Sequence, residues 1–182
     1  MARTEEWDPW IANNRDLHSM QRIALDALEF ADDDEAFHQY ATKHRLTVNE
    51  VVYYLNAYEY GGIAGLEAIR NPDIIPPAVA RGAIKTIGAA LDRHFEGRVP
   101  YRLTDEGTGV GVYQIQERWN GDRHLFPVCQ FRLTLKEEMW HLYWMRKFDA
   151  WWPYPAPEGR YRYTLKARIR QVLADEDGAF WA

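Results

Sequence analysis

The spacing of apolar residues predicts helices in the first part of the chain. Apolar positions recur about every 3.6 residues at Leu17, Met20, Ala24, Leu28 and Ala31. The acidic run at 32–35 can accept hydrogen bonds from free backbone amides, so it predicts the start of a second helix. A third helix begins at Thr47. Asn71-Pro72 and Pro76-Pro77 interrupt the pattern and mark a module boundary.

The period of the pattern changes in the second part. A helix comes first, and its inward residues are Ala80, Ile84, Ile87, Leu91 and Phe95. Residues 110–119 then alternate as in a half-exposed strand. Asn120-Gly121 predicts a hairpin turn, because both residues tolerate positive φ, and 126–133 is the returning strand. A second hairpin is predicted from 139–146 and 150–154 around Lys147-Phe148-Asp149, and a final helix from Thr164.

These patterns predict an α+β protein with two modules. Residues 1–76 form a helical module with a helix-turn-helix. Residues 77–182 form an aromatic-rich module with an antiparallel β-sheet of about four or five strands flanked by helices. A length of 182 residues suits this division, and a hydrophobic fraction of 47% is ordinary for a folded chain.

Residues 46–69 combine a strong helix start with a run of glycines. Thr47 and Glu50 are spaced for a capping box, in which each side chain accepts from the backbone amide of the other. The core-facing residues are then predicted to be Val48, Val51, Val52 and Leu55. The outward stripe is predicted to be Asn49, Tyr53 and Asn56, with Glu50 and Tyr54 beside it. A short turn before a capped helix matches the helix-turn-helix layout.

Residues 36–69 also resemble the transposase-type helix-turn-helix, whose recognition helix is followed by a glycine pair and Gly-Leu. The residues that carry the resemblance are Val51, Tyr54, Leu55, Tyr58, Gly61, Gly62, Gly65 and Leu66. The resemblance implies that the third helix enters the major groove of double-stranded DNA. The implied DNA-binding residues are His44, Arg45, Thr47, Asn49, Glu50, Tyr53 and Asn56, with Asn49 as the best base-reading candidate.

The charge of this module leaves an alternative open. Affinity for DNA rests mainly on cations that neutralise phosphates, whereas residues 1–76 carry six Lys/Arg against fourteen Asp/Glu. A helix-turn-helix scaffold retained for packing or for protein contact is therefore an alternative, which would make the chain a protein–protein adaptor. A two-fold homodimer would let two cation-poor half-sites act together.

The second module is rich in aromatic residues, which large rings in a small core would explain. A third alternative is an RNA-binding sheet on which bases stack. Its polar face would consist of Gln114, Gln116, Arg118, Gln130 and Arg132. A basic cluster supplies candidate auxiliary phosphate contacts, namely Arg160, Arg162, Lys166, Arg168 and Arg170.

Residues 80–182 resemble an uncharacterised bacterial domain family that has no assigned activity. Its motifs are R-V-P, W-x-L-Y-W, W-x-x-Y and an acidic turn before F-W-G. The corresponding segments here are Arg98-Val99-Pro100, residues 140–144, residues 151–154, and residues 175–178 with Phe180-Trp181. Ala182 stands where the family has glycine. The resemblance implies a discrete folded module.

No sequence motif indicates catalysis. The six histidines show no metal-binding spacing, and residues 107–111 lack the lysine of a phosphate-binding loop, so we expect no enzyme activity, metal or cofactor. The single cysteine, Cys129, lies among apolar residues and is expected to be buried. We expect a cytoplasmic protein without membrane segments, involved in transcription regulation or associated with a mobile element.

Overall fold

The computed structural model describes residues 12–146, 150–154 and 163–181. It confirms the α+β class. The chain forms two compact units that divide between Pro72 and Asp73, and Pro153 and Tyr154 group with the first unit. The predicted boundary lay four residues later, between 76 and 77. Asp73 and Ile75 belong to the second unit, because Leu135 N–H donates to the Asp73 carboxylate and Ile75 N–H donates to Gly107 C=O, both at 2.8 Å.

After Arg15, the described part of the first unit forms three helices, and a short polar side chain caps the start of each. They are α1 (Leu17–Leu28), α2 (Asp34–His44) and α3 (Val48–Arg70). Asp16 caps α1, Asp33 caps α2, and Thr47 caps α3. Both halves of the predicted Thr47–Glu50 capping box are present, at 3.1 Å each. The core includes Met20, Ala24 and Ala27 from α1 and Val51, Leu55 and Leu66 from α3.

The glycine run breaks α3 and allows a close approach between its two parts. Gly62 has φ 57° and ψ −142°, a conformation that L side chains rarely adopt. A Cβ on Gly65 would lie 1.9 Å from the Ala57 carbonyl oxygen. Both glycines are therefore required by the path of the backbone itself.

The described part of the second unit contains two helices and a sheet. Its elements are α4 (Pro77–Phe95), β1 (Tyr101–Asp105), β2 (Val110–Glu117), β3 (Arg123–Thr134), β4 (Met139–Met145), β5 (Trp151–Pro153, of which Trp151 and Trp152 group with this unit) and α5 (Leu165–Ala174). The five strands follow one another in the order β1-β2-β3-β4-β5. The predicted turn at 147–149 lies outside the described residues. Thr164, from which the final helix was predicted to start, is the N-cap of α5.

The register of the sheet separates two groups of polar residues that were predicted to share a face. Val110 pairs with Phe131, which pairs with Leu142, and these three buried residues line one face. Alternation along β2 places Gln114 and Gln116 on that same face. Gln130 pairs with Gly111, so Gln130 and Arg132 lie on the opposite face. The prediction that these polar residues share a single face is therefore wrong.

Candidate nucleic-acid interface

A three-residue turn joins α2 to α3. Arg45 ends α2 in the left-handed conformation, with φ 56° and ψ 38°, and its N–H donates to the carbonyls of Ala41 and Thr42. Leu46 N–H donates to Ala41 C=O at 2.8 Å, and Thr47 then starts α3. The two helices and the tight turn of the predicted layout are thus present in the backbone.

The predicted contact residues around this turn are partly accessible. Lys43, His44 and Arg45 are exposed, and the His44 ring lies 4.2 Å from the ring of Tyr40, measured between centroids. Thr47, Asn49 and Asn56 are half-buried. Their remaining exposed surface defines one edge of α3.

Two of the predicted DNA-binding residues do not face solvent. Tyr53 is 2% exposed, and its hydroxyl donates to the side-chain oxygen of Asn13 at 2.8 Å. Glu50 is 8% exposed and forms an ion pair with Arg15, with 2.9 Å between Nη2 and Oε1. The prediction that these side chains point outward is wrong, because residues before α1 cover this side of α3.

Tyr54, which was expected beside the outward stripe, is held by the same segment. Its hydroxyl donates to Ala12 C=O at 2.8 Å and accepts from Arg15 Nε at 3.2 Å. Burial raises the pKa of Tyr54 to about 12, although the hydrogen bond from Arg15 lowers it. The Arg15 carbonyl in turn accepts from Arg70 Nε at 3.1 Å. These contacts fix the rotation of α3 about its axis.

The outward edge of α3 is consequently narrow. It consists of Asn49, Val52, Asn56 and Glu59, which follow one another at three- and four-residue intervals. Val52 is half-buried on this edge, so the prediction that it faces the core is wrong. We call these four residues the α3 edge. Only Asn49 and Asn56 among them belong to the predicted DNA-binding set.

Charge is segregated along α2. Its first turn carries Asp34 and Glu35, preceded by the exposed Asp32 and Asp33, whereas its last turn carries Lys43 and His44. A helix of this length separates its ends by about 15 Å, which exceeds the Debye length of about 8 Å at physiological salt. The acidic end therefore repels a polyanion only weakly at the basic end.

The predicted phosphate contacts of the second unit divide into three groups. Lys166 and Arg170 are exposed on α5, whereas Arg160 and Arg162 lie outside the described residues. Arg168 is 1% exposed; its Nε donates to Trp140 C=O at 3.0 Å and its Nη1 to Gln171 Oε1 at 3.1 Å. The prediction that Arg168 contacts phosphate is therefore wrong, because this arginine connects α5 to β4.

The tryptophans of the sheet form no open platform. Trp152 is buried, and Trp140, Trp144 and Trp151 are half-buried. Gln130, predicted on the polar face, is buried as well. In contrast, Trp119 is 99% exposed at the tip of the β2–β3 hairpin. The position of Trp119 directly before Asn120-Gly121 is the signal in the sequence that places it at a hairpin turn.

A polar cluster that the sequence did not reveal lies on the sheet. The Glu106 carboxylate accepts from the Tyr113 hydroxyl and from the Gln130 amide, and Gln130 Oε1 accepts from Arg132 Nε at 2.5 Å. The Arg132 guanidinium lies 4.2 Å from the centre of the Tyr143 ring. This chain of hydrogen bonds satisfies polar groups on the face opposite Val110.

His141 lies next to this cluster, directly opposite Arg132 in the register. It is 6% exposed, and within the described part of the chain its Nε2 has no hydrogen-bond partner. Burial, together with the charges of Arg168 and Arg132, lowers its pKa to about 4. His141 is therefore a neutral imidazole at physiological pH.

The acidic turn and the Phe-Trp pair at the end of the chain form a helix cap. The Asp175 carboxylate accepts from the backbone N–H groups of Ala179 at 2.6 Å, Phe180 at 3.0 Å and Trp181 at 3.2 Å. The Trp181 indole N–H donates to Val172 C=O at 3.0 Å, near the end of α5. This motif therefore stabilises the fold at the C-terminal end of α5.

Two further properties concern only the described ranges. Histidine, cysteine and carboxylate side chains there form no group of three or more that could hold a metal ion. No helix described there has both the length and the apolar character needed to cross a bilayer. Cys129 is buried, as expected, and burial raises the pKa of its thiol.

Comparison with known proteins places the second unit in a family. No curated protein and no solved structure matches the chain. A family model described as Domain of unknown function (DUF3024) matches residues 79–182, which is more than half of the sequence. The match begins inside α4 and includes the whole sheet, α5 and the C-terminal cap. The chain thus belongs to the DUF3024 family.

Proposed function

We propose that the helical unit binds duplex DNA through the α2–α3 turn and the α3 edge. In this arrangement Lys43, His44 and Arg45 meet phosphates, and Asn49 and Asn56 reach base edges. The role is that of a binding protein without a catalytic step. The resemblance of residues 36–69 to the transposase-type helix-turn-helix supports this proposal.

The observation that carries the proposal is the exposed basic turn directly before a capped helix. Lys43, His44 and Arg45 project beside the N-terminal end of α3, where the helix dipole also favours a nearby anion. Asn49 lies in the first turn of that helix, and a side-chain amide can bond an adenine edge with two hydrogen bonds. The basic side chains that would contact phosphate therefore lie next to Asn49, whose amide would contact a base.

The buried face of α3 supports the same role. Hydrogen bonds within the unit fix the rotation of α3 about its axis, and they involve Arg15, Glu50, Tyr53 and Tyr54. The α3 edge is therefore held in one orientation. Pre-organisation of this kind reduces the ordering cost of binding. The contact set is smaller than the sequence predicted, since Glu50 and Tyr53 are excluded from it.

Fluorescence anisotropy with a pool of labelled random-sequence duplexes tests the proposal. We expect binding that weakens as salt increases. Asn49→Ala should weaken binding to a selected duplex about ten-fold. The double variant Lys43→Gln, Arg45→Gln should reduce the slope of log K against log salt by about 2.

Two variants of the same unit serve as matched controls. Arg22 and Asn71 are exposed and lie outside the α2–α3 turn and the α3 edge, so Arg22→Gln and Asn71→Ala should leave affinity and salt slope unchanged. Binding that is indifferent both to salt and to Asn49→Ala would contradict the proposal and favour the protein–protein adaptor.

A further inference from the structure

The β2–β3 hairpin extends beyond its neighbours in the sheet. The register of β1 with β2 ends at Gln114, and the register of β4 with β3 ends at Gln130. Ile115 N–H still donates to Pro100 C=O, just before β1, at 2.9 Å. Beyond Ile115, the register pairs β2 with β3, as in Gln116 with His124 and Glu117 with Arg123. Residues 117–126 are all exposed. We call residues 115–126 the ribbon.

The tip of the ribbon is well ordered by its own hydrogen bonds. Gly121 adopts φ 84° and donates its N–H to Arg118 C=O at 2.9 Å, while Arg118 N–H donates to Asp122 C=O at 2.8 Å. The Asn120 side chain donates to the Asp122 carboxylate at 2.6 Å. The turn therefore presents Trp119 to water on a defined backbone.

The two faces of the ribbon carry different side chains. Gln116 and His124 are paired on one face, and alternation along the strand places Arg118 with them. Glu117 lies opposite Arg123 on the other face, where the two charges offset each other. The Asp122 carboxylate at the tip is engaged by Asn120. The same alternation places Asp122 on the first of these faces, opposite Arg118. The Gln116–Arg118–His124 face thus presents amide, guanidinium and imidazole groups beside one carboxylate, which accepts from the Asn120 amide.

We infer that the ribbon is a second DNA-contacting element, which enters the major groove of duplex DNA with its Gln116–Arg118–His124 face toward the base edges. The inference rests on the proposed function only in that the ligand is the same duplex. Arginine pairs with guanine and glutamine with adenine through two hydrogen bonds each, and apolar groups such as the Trp119 ring contact thymine methyls.

The dimensions of the ribbon suit this groove. From Ile115, whose N–H still donates to Pro100 C=O, to Trp119 at the tip, four residues of extended chain span about 13 Å. The major groove is about 8.5 Å deep and about 12 Å wide, and it admits a two-stranded ribbon. The ribbon can therefore lie in the groove with Gln116 and Arg118 on the base edges and with Trp119 beside them.

The full-length chain and the same duplex pool test the inference. Arg118→Ala and Trp119→Ala should each weaken binding to a selected duplex about ten-fold. Both residues are exposed, so these variants should retain the circular dichroism spectrum and the midpoint of thermal unfolding. Arg102→Gln is the matched control, because Arg102 is an exposed arginine of β1 in the same sheet; its affinity should equal that of the wild type.

The outcomes separate this inference from the proposed function. Loss of affinity in the ribbon variants but not in Asn49→Ala supports the ribbon and contradicts the α3 edge; the reverse pattern overturns the ribbon alone. If the protein binds a single DNA strand more tightly than the corresponding duplex, the inference that the ribbon enters the major groove is overturned. Trp119→Ala could instead change the oligomeric state, measured by sedimentation, and leave the DNA affinity unchanged. That result would assign the ribbon to self-association and would also overturn the inference.

Discussion

At the scale of single residues, His141 links stability to pH. Its pKa is about 4 in the folded chain, against an ordinary value of 6.5. The unfolded chain therefore binds a proton at a higher pH than the folded chain does. The stability associated with neutral His141 is complete above pH 6.5 and is lost as the pH falls from 6.5 toward 4.

We therefore predict that the free energy of unfolding falls by about 3 kcal/mol across this window because of His141. Urea titrations at a series of pH values, followed by tryptophan fluorescence, measure it. His141→Leu should flatten the dependence, whereas His124→Gln, an exposed histidine of the same sheet, should leave it unchanged. A dependence that persists in His141→Leu would contradict the assignment.

The burial of individual side chains was the property that the sequence predicted least well. Glu50 and Tyr53 have polar groups and occupy helix positions that suggest exposure, yet their partners are Arg15 and Asn13, 35 and 40 positions away along the chain. Arg168 likewise bonds Trp140, 28 positions earlier. Local spacing carries no information about such partners, so the predicted contact set included residues that the fold uses internally.

At the scale of elements, the starts of helices and the turns followed from short-range chemistry. The Thr47 capping box, the Thr164 cap and the Asn120-Gly121 turn each depend on residues within a few positions, and all three are present. In contrast, the pattern did not predict β1, a short strand whose residues are half-buried or exposed. Its existence depends on pairing with β2, which is a tertiary effect.

The break in α3 leads to a prediction about two helical glycines. Gly65→Ala should destabilise the fold by about 2 kcal/mol or more, because the new methyl group would overlap the Ala57 carbonyl. Gly82→Ala is the matched control; Gly82 lies within α4 with open space around it, so alanine should stabilise by about 0.5–1 kcal/mol. Urea midpoints monitored by circular dichroism measure both. Equal effects of the two substitutions would show that the close approach does not limit stability.

At the scale of the whole molecule, net charge restricts how DNA can be bound. The chain carries a formal charge of −5, so non-specific attraction to a polyanion is weak and binding must rely on local cations. The two proposed surfaces together offer the exposed Lys43, Arg45, Arg118 and Arg123.

We predict that log K falls against log salt with a slope no steeper than about 4, since each neutralised phosphate contributes about 0.9. Anisotropy titrations over a series of salt concentrations measure this slope. A steeper slope would mean that cations outside these two surfaces, such as Lys166 and Arg170, also contact the duplex.

Because Trp119 is exposed, its intrinsic fluorescence can be used to observe the ribbon. Among the tryptophans of the described residues, the others are half-buried or buried, so an aqueous quencher such as iodide should reach Trp119 first. Subtracting the emission of Trp119→Phe from that of the wild type isolates this one indole. The chain therefore carries an intrinsic reporter at the tip of the ribbon, and any ligand that covers the tip should shield it from iodide without a label being attached.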